Sequence, residues 1–277
     1  MLIKLSRLLV LCVVLLNLGC SKKTVQTTTP APPVTYDGNL RVLTYNIHHA
    51  NPPSTTSTID INAIANVIKQ QNPDLVALQE IDVNTSRSGS TLNEAAELGR
   101  LTGMKYYFAK AIDYGGGEYG VTILSRYPME STKNTPLPTA AGTGGEPRTL
   151  ATAVINLPDG KKIVFASTHL DAQSADTNRV LQINKIVEIL QQEQNPVIIG
   201  GDFNALPGTR VINALDAAFT RTCITSCGFT IPVINPNKTI DFIAYKPSNK
   251  FKVVEHKVID EKYASDHLPV FAILQVQ

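Results

Sequence analysis

Gln194-Asn195-Pro196-Val197-Ile198-Ile199-Gly200-Gly201-Asp202-Phe203-Asn204-Ala205 is the stretch from which the fold is read. Asn195-Pro196 marks a turn, and the apolar run after it reads as a short buried strand. The strand carries a carboxylate, Asp202, and a carboxamide, Asn204, out at its C-terminal end, where open α/β sheets usually place ligands. Gly200 and Gly201 would let the backbone come close to a substrate. Taken alone, Asp and Asn after glycines are ordinary loop residues. The rest of the chain decides between the two readings.

Upstream, Leu40-Arg41-Val42-Leu43-Thr44-Tyr45-Asn46-Ile47 is expected to be a strand ending near Asn46, His48 and His49; His48 could face a site, but that is the less favoured reading. Residues 60–71 carry Ile61, Ile64, Ala65 and Ile68 at helical spacing, and Pro73 stops the pattern. Leu75-Val76-Ala77-Leu78-Gln79-Glu80 reads as a buried strand ending on a carboxylate, and Glu is rarely buried without a partner or a metal. A second amphipathic helix is expected over 93–102, stopped by Gly103. Gly115-Gly116-Gly117 is a loop leading into Glu118-Tyr119-Gly120 and a strand over 121–124, and 139–145 is small, polar and expected to move.

Residues 148–157 and 162–170 form a hairpin about Pro158-Asp159-Gly160, and its second strand delivers His169. A helix over 176–192 precedes the central strand. A strand enters through Asp241, another covers 251–260, and Ser265-Asp266-His267 sits just before the last strand, 268–276. No internal repeat of convincing period is present. This order suits one α/β domain with two β-sheets face to face and helices outside.

Polar groups therefore recur where strands begin or end: Asn46, Glu80, Glu118, His169, Asp202, Asn204, Asp241, Asp266 and His267. Any one of them is an ordinary cap or solvated edge; their shared placement is not. The set is oxygen and imidazole without Cys, which suits a hard divalent cation such as Mg²⁺ or Mn²⁺ better than Zn²⁺.

Thr44-Tyr45-Asn46, Leu78-Gln79-Glu80, Thr168-His169-Leu170, Gly201-Asp202-Phe203-Asn204, Ile240-Asp241-Phe242 and Ser265-Asp266-His267 occur in the order of the endonuclease/exonuclease/phosphatase superfamily, the DNase I-like group, which the chain resembles from about residue 39 onward. The resemblance implies a four-layer α/β/β/α sandwich and metal-dependent hydrolysis of phosphoester bonds. It also implies roles. Glu80 with Asn46 would bind the metal, with Asp266 supporting it or its water shell. Asp202 would orient or deprotonate the attacking water, and Asn204 would hold phosphoryl oxygens. His267 would face the scissile phosphate with Asp241 as its partner, and His169 would be a second phosphate-binding or acid histidine with Glu118 beside it. Arg148 and Tyr119 are candidate substrate contacts.

The ends of the chain speak to its location. Lys4 and Arg7 precede an apolar run over 8–16 that is too short to span a bilayer, which takes about 20 residues. It closes in Asn17-Leu18-Gly19-Cys20 and resembles a bacterial lipoprotein signal peptide over 1–19, with Cys20 as the acylated residue; Asn17 departs from the usual aliphatic residue. Residues 20–37 are rich in Thr and Pro and read as a tether, leaving 38–277 as the hydrolase domain. Membrane attachment through lipid is expected, with the periplasmic face of the cell envelope favoured because Ser21-Lys22-Lys23 lacks an acidic run. Cys223 and Cys227 suit a loop-stapling disulfide in an exported compartment, with free thiols the alternative; two thiols alone do not complete a zinc set.

Setting Lys4 and Arg7 aside leaves 23 basic and 23 acidic residues, without the basic excess of a dedicated nucleic-acid binder. Tyr45-Asn46-Ile47-His48 also departs from the Trp-Asn context of abasic-site endonucleases. That stretch and Glu118-Tyr119-Gly120-Val121-Thr122-Ile123-Leu124-Ser125 resemble a secreted bacterial branch linked to membrane-lipid and glycolipid-anchor processing. The favoured expectation is a monomeric, membrane-tethered phosphodiesterase acting on a phospholipid or its headgroup. An exported nuclease cleaving DNA or RNA is the enzyme alternative, and a non-catalytic lipoprotein binding phosphorylated ligands is the alternative of another class.

Overall fold

A computed structural model describes residues 36–277 of the chain. The expected signal peptide, the lipidation site Cys20 and nearly all of the tether lie outside those residues. The packed region begins at Tyr36, slightly before the boundary read from composition: its ring meets Tyr127 edge-on, centroids 6.0 Å apart.

Two six-stranded sheets face each other. The first has the order β11 (Phe251–Val258), β12 (Val270–Val276), β1 (Asn39–Asn46), β2 (Leu75–Val83), β4 (Gly117–Ser125), β3 (Lys105–Tyr114). The second runs β5 (Met129–Pro136), β6 (Thr149–Asn156), β7 (Lys162–His169), β8 (Val197–Asp202), β10 (Asp241–Lys246), β9 (Thr220–Arg221). Each sheet contains one parallel pair, β1 with β2 and β7 with β8, at its centre, and every other pairing is antiparallel.

Side chains alternating inward from both sheets fill the space between them, among them Leu40, Val42, Ile123, Ile155, Phe165, Ile198 and Ile243. Burying such a side chain stabilises the fold by about 1.5–3 kcal/mol. The outer faces are covered by helices. Leu43, Val76 and Leu78 meet α1 (Ile61–Gln71) and α2 (Glu94–Thr102). Val164, Ile199 and Ala244 meet α3 (Thr177–Gln191) and α4 (Arg210–Ala218). Local signals set the helix bounds: Asp60 and Asn93 accept the amides of Ala63 and Ala96 at 2.9 Å, and Asn72 and Gly103 close the C-terminal ends in the left-handed region. The architecture is the expected four-layer α/β/β/α sandwich.

Three sequence expectations change. The edge strands β3 and β5 are new; β3 is half-buried along its middle with Ala109 in the core, whereas β5 is exposed and polar, with no apolar alternation to betray it. The 139–145 loop is pinned, with Asn178 Oδ1 accepting Ala140 N at 2.9 Å. Gly200 and Gly201 serve packing rather than substrate approach. A Cβ on Gly200 would stand 2.9 Å from Ala77 Cβ and 3.0 Å from Thr44 Cβ across the sheets, and one on Gly201 would stand 2.5 Å from the Thr168 carbonyl oxygen. Small residues thus let the sheets close together at one edge, where the two parallel pairs end. Cys223 and Cys227 are bonded to each other, stapling the loop between β9 and β10.

Candidate active site

Strand topology places the polar groups. Both parallel pairs end at the same edge of the sandwich, so Asn46 closes β1, His169 closes β7 and Asp202 closes β8. Asp241 opens β10 directly opposite Asp202. Glu80 reaches the same place through a β-bulge: Gln79 and Glu80 occupy the register break between Leu78 and Ile81, and Glu80 takes φ 59°. A bulge re-aims a side chain that strict alternation would send to the other face. Asn204 also sits in the left-handed region, at φ 46°. Ser265 ties the last segment in, donating to the Asn46 carbonyl at 2.7 Å and accepting the His267 amide at 3.2 Å.

Asp202 is the hub. Its Oδ1 accepts the Asn204 amide at 2.8 Å. Its Oδ2 accepts Asn46 Nδ2 at 3.0 Å and lies 3.5 Å from His169 Nε2 and 3.7 Å from His267 Nε2. Asn46 Nδ2 also donates to Glu80 Oε1 at 3.0 Å, while its Oδ1 accepts the His48 amide at 3.1 Å. Asn46 therefore lies between the two carboxylates, beside Glu80 as the resemblance implied.

His267 Nδ1 donates to Asp241, with oxygens at 3.0 and 3.2 Å. Burial alone would lower this imidazole, but the Asp241 carboxylate outweighs it and lifts His267 to about 10, so the ring is cationic at neutral pH. His169 behaves oppositely: burial first, then the Arg148 charge, holds it well below the usual histidine range. Arg148, itself buried, has Nη1 3.0 Å from His169 Nδ1. A guanidinium only donates, so Nδ1 accepts; Nε2 lies 3.1 Å from Asn204 Nδ2, which also donates to the Leu170 carbonyl at 3.0 Å, and 3.5 Å from Asp202 Oδ2. Tyr119 Oη stands 3.5 Å from the same Nδ1. Asp202 is raised well above the carboxylate range, by burial and then by the Asp241 charge. Glu80 is lowered: burial opposes ionisation, and the His49 and His169 rings with the Asn46 amide outweigh it.

One expected pairing is not formed. Glu118 is not the partner of His169; it is half-exposed and lies 3.4 Å from Lys110 Nζ on neighbouring β3, because Tyr119, its neighbour in the alternation, takes the inward position. Asp266 approaches only Ser265 Oγ, at 3.4 Å, among the described hydrogen bonds of its side chain. Of the adjacent histidines, His49 rather than His48 approaches Glu80. Only the adjacency of the two rings after Asn46 marked that position in the sequence.

The donor set fits a divalent cation in two places. Ligand atoms of Asp202, Asp241 and His267 lie within 4.8 Å of one another and can hold a metal ion. Glu80 Oε2 is ionised, partly open and accepts no hydrogen bond among the described residues.

Such a constellation at the mouth of a β-sandwich has relatives. The chain is 25% identical over 255 residues to YbhP of Escherichia coli strain K12, an uncharacterized protein, covering 87% of this chain and 98% of that one. A solved endonuclease/exonuclease/phosphatase from Beutenbergia cavernae superposes with TM-score 0.70 at 23% identity, covering 86% of this chain and 72% of that one. The mannosyl-6-phosphatase of Bacteroides thetaiotaomicron superposes with TM-score 0.68 at 20% identity, covering 85% and 99%. The model of the Endonuclease/Exonuclease/phosphatase family matches residues 43–267, a span that begins in β1 and ends on His267 and so takes in every group gathered around Asp202; the chain belongs to that family and is a phosphoester hydrolase.

Proposed function

We propose that the chain is an exported, membrane-tethered phosphodiesterase, dependent on Mg²⁺ or Mn²⁺, that hydrolyses a phospholipid or its headgroup by in-line attack of water. The observation that carries the chemistry is the raised Asp202 carboxylate with a cationic ring on one side and a neutral ring on the other. A carboxylate raised toward neutral pH is the better proton acceptor. Asp202 takes a proton from water as the water oxygen bonds to phosphorus; the ester P–O bond breaks and the leaving oxygen takes up a proton from solvent. His267, charged and fixed by Asp241, donates from Nε2 to a phosphoryl oxygen. His169, its Nδ1 engaged by Arg148, stands beside it, with the Asn204 amide 3.1 Å from its Nε2. A cation at Glu80 would neutralise phosphate charge and hold its oxygens.

What favours a lipid is exposed apolar surface. Exposed Leu206, Ile224, Phe229 and Ile234 lie on the loops after β8 and before β10. A cavity of about 500 Å³ lined by Asn204 also takes in Leu206, Ile231 and Ile240 with the charged Asp176, Arg179 and Lys238, the last a cation suited to a headgroup. The near-neutral charge outside the leader and the lipoprotein-like N-terminus agree with this reading.

The test offers the full chain plasmid DNA and phospholipid mixed micelles together, with Mg²⁺ or Mn²⁺, followed by phosphorus NMR and gel. A new water-soluble phosphoester with intact plasmid, absent in Asp202→Asn, is the expected result. Nicked plasmid with intact lipid would make the chain a nuclease. A folded protein that turns over neither would contradict a phosphodiesterase acting on either substrate.

A further inference from the structure

Residues 48–50 hold three non-glycine residues in succession in the left-handed region, at φ 47°, 41° and 54° for His48, His49 and Ala50. Each such residue is costly, and backbone strain of this kind collects where a function maintains it. The turn is held tightly: Ala50 N donates to the Ile47 carbonyl and Asn51 N to the His48 carbonyl, both at 2.9 Å. His48 spends its ring on the turn, Nδ1 donating to the Asn51 carbonyl at 2.8 Å. The His49 ring stands against it, centroids 4.5 Å apart.

His49 is different. Its Nδ1 is buried and has no hydrogen-bond partner among the described residues. It faces Glu80 Oε2 at 3.9 Å, and that oxygen is unpartnered too. Glu80 is itself held at φ 59° by its bulge. Two strained segments thus aim two unpaired donor atoms at each other. The separation is too long for a hydrogen bond. It lies within the roughly 3–4.3 Å that two donors about 2.1 Å from one cation can span.

We propose that His49 Nδ1 is a ligand of the divalent cation held by Glu80, and that this nitrogen biases the site toward Mn²⁺ over Mg²⁺. Mg²⁺ strongly prefers oxygen donors, whereas imidazole gains affinity with transition ions. The inference rests on the reading that the cation sits at Glu80.

Calorimetric titration of the full chain with Mn²⁺ and with Mg²⁺, together with electron spin-echo spectra of the Mn²⁺ form, tests it. Bound Mn²⁺ is expected to show nitrogen coupling. His49→Ala should lose that coupling and bind Mn²⁺ on the order of 10-fold or more weaker, with Mg²⁺ binding changed far less. His49→Gln, which keeps bulk and polarity, should do the same, and circular dichroism melts identify any variant that fails to fold. Nitrogen coupling that survives in a folded His49 variant, or an unchanged Mn²⁺ to Mg²⁺ preference, overturns the proposal. Glu80→Gln separates the two readings: if it leaves Mn²⁺ binding intact, the cation is not at Glu80 and the underlying reading fails. If it abolishes binding while the His49 variants bind normally, only the ligand role of His49 fails.

Discussion

The two sheets repeat one pattern of strand directions, and equivalent strands carry chemically opposite carboxylates. Reading across each sheet, β11-β12-β1-β2-β4-β3 and β5-β6-β7-β8-β10-β9 share the same succession of antiparallel and parallel pairings. β2 corresponds to β8, so Glu80 and Asp202 occupy related places. Yet Glu80 is held below the carboxylate range and Asp202 is pushed above it. Glu80 has imidazoles and an amide around it and an open oxygen; Asp202 is sealed in beside Asp241. Environments that drive two acids apart assign them different tasks. The charged one suits a cation, and the raised one suits proton transfer.

Removing the source of that difference should have the largest effect. Asp241→Asn takes away the charge that lifts both Asp202 and His267. Turnover should fall by about 10²-fold or more, measured as kcat at saturating substrate. The stability profile should change as well. His267 is raised in the folded protein, so its contribution is complete below the ordinary value of 6.5 and is lost as pH rises through about 10. Denaturant melts of the parent should therefore weaken across that window, and those of Asp241→Asn should lose this dependence.

Arg148→Ala probes the neutral ring. It removes a charge that depresses His169, so the His169 titration followed by NMR should move upward. It also leaves Glu146 without its 3.0 Å partner. The loss of this buried group should cost about 1–3 kcal/mol by chemical denaturation. Gly200→Ala asks whether the two halves must close together: its methyl would press Ala77 and Thr44, and a loss of about 1–3 kcal/mol is expected. Glu118→Gln is the smallest change. With Glu118 on the exposed edge, its stability should stay within about 0.5 kcal/mol, and turnover should be retained.

How far the sequence revealed this arrangement depends on what the residues had to signal. Buried strands ending in polar groups were legible, because β1, β2, β7 and β8 are apolar runs broken by Asn46, Glu80, His169 and Asp202. The edge strand β5 was not, since an exposed strand needs no apolar period, and β3 mixes apolar and charged residues without strict alternation. Glu118 was misplaced for want of the pairing that sends Tyr119 inward. The bulge at Glu80 and the left-handed turn at His49 left no mark in residue type, because neither uses glycine. The shared strand pattern of the sheets is a property of pairing, and no sequence period accompanies it.

The division of labour between the two carboxylates is tested most directly by titrating Mn²⁺ into Glu80→Gln and Asp241→Asn side by side in a calorimeter. The expected result is that Glu80→Gln loses the binding heat while Asp241→Asn keeps it and loses turnover. Binding that disappears in Asp241→Asn and persists in Glu80→Gln would place the cation among Asp202, Asp241 and His267 and contradict the assignment.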